Sequence, residues 1–120
     1  MSLLPDCPPR PSCVSSDAPS GPQHIEPLAF GERTGDAWTC LLALLEATPR
    51  VELVEVTGTT IHAVFTTRIL RFRDDVNLEL READGQIAVR SCSRVGHSDL
   101  GTNRRRVEAL RERVTAALAS

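Results

Sequence analysis

The sequence has no lysine and no tyrosine, so all 14 of its basic side chains are arginine. A compositional bias toward Arg and Ala accounts for this without any function. It still means that every cation here is a planar, permanently charged fork suited to carboxylate or phosphate. Aromatic residues are scarce, one Trp and three Phe, which leaves a base-stacking platform for nucleic acid poorly supplied. Charge of one sign does not dominate: the net charge is −2. Residues 1–60 hold three Arg against eight acids, and residues 61–120 hold eleven Arg against eight acids. That asymmetry is weaker than the basic domain a nucleic-acid binder usually brings. No apolar run approaches the ~18 residues of a membrane-spanning helix. The opening MSLLPDCPPRPSC lacks the charged n-region and long apolar core of a secretion signal. The chain as it stands is therefore expected to be a soluble, cytoplasmic domain; a removed leader would leave no trace in it.

What is present is ordinary for a globular chain: 41% hydrophobic and 25% charged residues. A length of 120 residues makes one domain the default. A domain of this size buries roughly two-thirds of its unfolded surface, so neither a metal nor a disulfide staple is required. No cofactor is called for.

Residues 1–23 are dense in Pro and Ser, which suits neither helix nor ladder. They are expected to form an extended arm on a single domain spanning 24–120. Ile25, Leu28 and Phe30 would pin its end, and Pro27 restricts any strand there to an edge. The arm makes few buried contacts on this reading, so removing residues 1–12 is expected to cost less than about 1 kcal/mol. Trp38, Leu41, Leu42 and Leu45 recur at helical spacing, which predicts a helix over about 35–48. Thr34 or Asp36 can cap it and Pro49 stops it. RVELVEV and TTIHAVFTT, joined at Thr57-Gly58, read as one hairpin. Val76, Leu78 and Leu80 alternate with Asn77, Glu79 and Arg81, and Asp84-Gly85 turns the chain into a second hairpin bearing Ile87 and Val89. Leu100, Val107, Leu110, Val114 and Leu118 space a second helix over about 101–118.

Short turns make the strands antiparallel neighbours, and both helices must bury their stripes. The fold class predicted is α+β: a two-layer sandwich with an antiparallel sheet of about four to five strands and two helices on one face. The other face, with His62, Thr66, Asn77, Glu79, Arg81 and Arg90, is polar enough to meet water or a ligand.

Three stretches together resemble a known family, the domain of unknown function 1499 family of bacteria and plastids. The first is Cys7-Pro8 with Ser12-Cys13-Val14-Ser15-Ser16, where Ser12 stands for the family's Asn. The second is Phe72, Asp74, Asp75 and Val76, followed by Asn77 in place of an acid. The third runs through Arg90, Ser91, Ser93, Arg94, Gly96, Asp99, Gly101, Asn103, Arg104, Arg106, Val107 and Glu108. The resemblance covers nearly the whole chain. It implies a shared fold and a shared arginine-rich loop, but no activity.

That loop, residues 90–106, carries the candidate site. As an anion or partner site it would use Arg90, Arg94, His97, Asp99, Asn103, Arg104 and Arg106, helped by the N-terminus of the second helix. It would suit an anionic small molecule or an acidic protein surface. The Gly96 to Gly101 gap matches a P-loop, but Thr102 follows where the P-loop needs Lys. As an internal brace it would pair Arg90 or Arg94 with Asp74 or Asp75, with Asp99 or Ser98 capping the helix and Asn103 bonding back to backbone. As an enzyme it would use Asp74, Asp75, His97 and Asp99, with His97 as general base. The same four would be a poor metal set, lacking a His-x-x-x-His or Cys-x-x-Cys pair.

The four cysteines are Cys7, Cys13, Cys40 and Cys92. In a secreted chain of this length four would suggest a disulfide framework; in a cytoplasmic chain they are expected as thiols. Cys40 and Cys92 read as small packed residues. Cys7 and Cys13 are redox candidates, although their spacing is not Cys-x-x-Cys.

Overall fold

In the computed structural model, which describes residues 3–95 and 101–120, the chain runs β1 (Cys13–Ser15), β2 (Leu28–Ala29), α1 (Thr34–Ala47), β3 (Val51–Val56), β4 (Thr60–Thr66), β5 (Arg73–Arg81), β6 (Gln86–Ser93) and α2 (Thr102–Leu118). All the strands join one antiparallel sheet in the order β1-β6-β5-β4-β3. The outer edge of β6 is covered by two short strands set end to end. β1 pairs with residues 90–92 and β2 with residues 86–87. The sheet therefore has six strands, not the four to five expected. β2 is the edge strand that Pro27 permits, whereas β1 comes from a segment whose prolines argued against a ladder.

Strand alternation sorts the residues by face. Ile61, Ala63, Val76, Leu78, Ile87 and Val89 form one buried cluster with Ala37, Trp38, Leu41 and Leu45 of α1 and with Val107, Leu110 and Val114 of α2. Both helices thus lie on the same face, as the periodicities predict. Each buried Leu, Ile or Val in that cluster stabilises by about 1.5–3 kcal/mol relative to exposure. The hairpins also follow the sequence reading. Thr57 Oγ1 accepts from the amides of Thr59 and Thr60 and closes the β3–β4 turn. Gly85, at φ 66°, supplies the left-handed residue between β5 and β6 and packs 3.0 Å, measured from the Cβ it lacks, from Gly31 Cα.

The arm is where the expectation fails. It contains β1, and Ser12, Cys13, Val14 and Ser15 are all buried. The prolines flank this three-residue run but do not enter it, so they leave its ladder bonds intact. Upstream of β1, the Leu3 amide donates to Glu79 Oε1, Arg90 Nη2 donates to the Asp6 carbonyl, and Arg10 donates to the Ser93 carbonyl. Residues 3–10 therefore lie across the sheet face opposite the helices. The expectation of four thiols is also corrected. Cys7 and Cys13 form a disulfide with a Cα–Cα distance of 5.7 Å, leaving Cys40 and Cys92 as thiols.

Candidate partner-binding site

The residues singled out in the sequence divide between the two faces of the sheet. Ser91 and Ser93 alternate with Arg90 and Cys92 on β6, so the serines face α2. Asn103, the second residue of α2 and fully buried, accepts from Ser91 Oγ at 2.6 Å and donates to Ser93 Oγ and the Ser12 carbonyl at 2.9 and 3.0 Å. Arg106, one turn further on, donates to Asn103 Oδ1 and pairs with Asp74 Oδ2 at 2.8 Å. Asp74 is 2% exposed, and the Arg106 guanidinium also lies 5.0 Å from the Phe65 ring centroid. Arg104 reaches the carbonyls of Pro22 and His24.

Asp75 is one residue along β5 from Asp74 and so points to the opposite face. Arg94 grips it with Nε and Nη2, both at 3.0 Å, and His62 Nε2 lies 2.8 Å from its Oδ1. Partial burial alone would raise the Asp75 carboxyl, but the hydrogen bonds and charges of Arg94 and His62 outweigh it and hold the pKa below its usual value. The hydrogen bonds that Arg94 donates to Asp75 in turn raise the pKa of the Arg94 guanidinium. Arg90 on the same face donates to Asn77 Oδ1 and to the arm.

Arg94 thus pairs with Asp75, as the brace reading expects, but the partner of Asp74 is Arg106, which that reading did not choose. Asp74 and Asp75, both named in the enzyme reading, point to opposite faces of the sheet. His97, Asp99, Gly96 and Ser98 lie outside the described residues. The first residue before α2 is Gly101 at φ 83°. Among the described residues no His, Cys, Asp and Glu cluster could hold a metal. A shallow depression at the far end of the sheet is lined by Asp6, Asp17, Glu79, Arg81, Glu82 and Asp84. There Arg81 is held bidentately by Asp17 and also by Glu79.

At the near end of the sheet lies a feature the sequence reading passed over. The β4–β5 connection, Thr67 to Phe72, is clamped at its base. The Thr67 amide donates to the Phe72 carbonyl and the Phe72 amide to Thr67 Oγ1, both at 2.8 Å. Beyond the clamp, Ile69 is 85% and Leu70 68% exposed, with Phe72 also exposed. Arg68 and Arg71 flank the tip and are exposed. Arg71 adopts φ 59°, a left-handed conformation that costs a non-glycine residue about 1–2 kcal/mol. Arg50, Arg73 and Arg94 are exposed at the same end of the sheet, and the Arg94 amide bonds to the Arg73 carbonyl. The signal available in the sequence was RILRFR itself, an adjacent apolar pair between arginines in a segment too short to bury it.

No curated protein and no solved structure matches the chain. A family model does match, over residues 3–114, and it spans the disulfide-bearing arm, the Asp74–Asp75 strand and the arginines of α2. The chain therefore belongs to the family described as Protein of unknown function (DUF1499).

Proposed function

We propose that this domain is a binding module that docks reversibly on an anionic surface through the β4–β5 tip, and that the surface is an anionic lipid headgroup layer. One observation carries the reading: Ile69 and Leu70 stand exposed on a clamped, protruding loop between Arg68 and Arg71. A protein partner would need a matching concavity for such a convex apolar tip. A bilayer surface accepts it without one, and the arginines meet the phosphates. Strained backbone at Arg71 is in keeping with a functional loop. The acidic far end of the sheet orients the molecule in the field of an anionic surface.

The arginines first considered for such a role support it less. Arg94, Arg104 and Arg106 are engaged by Asp75, by backbone carbonyls and by Asp74. Each arginine near an anionic leaflet contributes about 1 kcal/mol and each inserted apolar side chain up to about 1.5–3 kcal/mol. Together they suffice for salt-sensitive, reversible attachment.

Co-sedimentation with vesicles of phosphatidylserine and phosphatidylcholine tests this. The chain should pellet with anionic vesicles and remain in solution with pure phosphatidylcholine, and added salt should weaken the binding. Ile69→Asp with Leu70→Asp should abolish it without changing the melting temperature. Absence of binding at low salt, or binding indifferent to the double substitution, overturns the reading.

A further inference from the structure

The disulfide of the arm shares a strand pair with a third sulfur. In the β1–β6 ladder, Cys13 lies directly opposite Cys92. The ladder bonds on either side identify the kind of pair this is. The Ser93 amide bonds to the Ser12 carbonyl and the Ser16 amide to the Val89 carbonyl. Hydrogen-bonded positions therefore alternate through 12/93, 14/91 and 16/89, and Cys13/Cys92 falls at a non-hydrogen-bonded position between them. Such pairs have Cα atoms about 4.5 Å apart with side chains on the same face. That lies within the ~4.4–6.8 Å span a disulfide bridges. Cys13 therefore has two partners within bonding reach, Cys7 along the chain and Cys92 across the ladder.

The surroundings favour exchange between them. Cys92 is a thiol and is 4% exposed, so external reagents reach it poorly while Cys13 lies beside it. Arg10, inside the Cys7–Cys13 loop closed by the disulfide, places Nη2 3.8 Å from Cys92 Sγ. Its positive charge sits where negative charge develops on sulfur during exchange. Cys7 is only half-buried, so its sulfur can leave toward solvent.

We propose that Cys7, Cys13 and Cys92 form a thiol–disulfide exchange site in which the bond migrates from Cys7–Cys13 to Cys13–Cys92. Cys92 gives its proton to solvent, and its thiolate attacks Cys13 Sγ. The Cys7–Cys13 bond breaks, and Cys7 leaves as a thiolate that takes up a proton. One disulfide and one thiol enter and leave, so no oxidant or reductant is consumed. The product has β1 stapled covalently to β6 and residues 3–10 without their covalent tether. It presents an accessible Cys7 thiol for exchange with the disulfide of a partner, which leaves a mixed disulfide at Cys7 and releases the partner's other sulfur as a thiol.

The test is thiol mapping of the full chain. Protein incubated at pH 8 is quenched in acid, alkylated and digested without reduction. Exchange predicts alkylation at Cys7 in the same proportion as it is lost from Cys92, together with a Cys13–Cys92 cross-linked peptide. Cys92→Ser should lose all labelling of Cys7. Cys7→Ser, treated with oxidised glutathione, should close a Cys13–Cys92 bond that removes both from alkylation. Wild-type label confined to Cys40 and Cys92, or Cys7 label that persists in Cys92→Ser, overturns the proposal.

Discussion

The side-chain amide of Asn103 donates to the backbone carbonyl of Ser12 across 91 positions of sequence, at 3.0 Å. The same side chain also serves Ser91, Ser93 and Arg106. All three stretches that carry the family resemblance therefore meet at one buried network that joins β1, β5, β6 and α2. Asn103→Ala removes the shared partner, so Ser12, Ser91, Ser93 and Arg106 each lose a hydrogen bond, although the Ser93 amide still reaches the Ser12 carbonyl and Arg106 still reaches the Ser91 hydroxyl. At about 0.5–1.5 kcal/mol for each hydrogen bond lost, the loss should be about 2–4 kcal/mol, read as a lower urea midpoint at unchanged slope. A change below 0.5 kcal/mol, smaller than the ~1 kcal/mol typical of one hydrogen bond, would show that the network relaxes around the cavity.

Arg106→Met should be among the most damaging single changes. It leaves Asp74, 2% exposed, without its ion-pair partner at a cost of about 3–5 kcal/mol. Pairing it with Asp74→Leu removes the stranded charge and should restore most of that loss. Chemical denaturation of the two variants decides the matter, and a double variant no better than the single one would refute the account.

Removing residues 1–12 is expected to be costly, contrary to the view of the arm as a loose extension. The deletion takes away Cys7, hence the disulfide, and the buried Ser12 whose carbonyl Asn103 holds. A loop this short stabilises by about 2 kcal/mol through the denatured chain alone. Cys7→Ser isolates that part and should lower stability by about 2 kcal/mol, with the deletion lower still. Equal stability of wild type and deletion in urea would return the arm to a passive role.

Asp75 gives a pH dependence of defined sign. Its folded pKa lies below the ordinary value, so it contributes stability that is fully present above about pH 4. That contribution is lost as the pH falls through the lower folded pKa. Asp75→Asn should be less stable than wild type at neutral pH, and the gap should close on acidification. Thermal melts between pH 2 and pH 7 check this; a gap that widens in acid would reverse the assignment.

Much of the fold was legible because its signals are local. The spacing of Trp38, Leu41 and Leu45 placed α1 to within a residue at each end. The alternation through Val76, Leu78 and Leu80 placed β5, and the turn at Asp84-Gly85 placed β6. β1 was not legible, since three residues among prolines carry no periodicity and only β6 gives them a ladder. Within the site, Arg94–Asp75 could be anticipated because both sit at ends of adjacent strands. Arg106–Asp74 could not, because it depends on which turn of α2 passes beneath the start of β5. Ile69 and Leu70 were missed for the opposite reason: they take part in no packing pattern at all.

The pairing of β1 with β6 has a consequence for the order in which the molecule is made. On a ribosome, Cys13 emerges long before Cys92, and at about 5–20 residues per second the interval is on the order of several seconds. Throughout it β1 has no ladder partner, and the covalent link to Cys7 is a bond it can form from neighbouring sequence alone. The nascent chain can therefore hold its first strand at the end of a closed seven-residue ring, Cys7 to Cys13, until the last strand arrives to receive it.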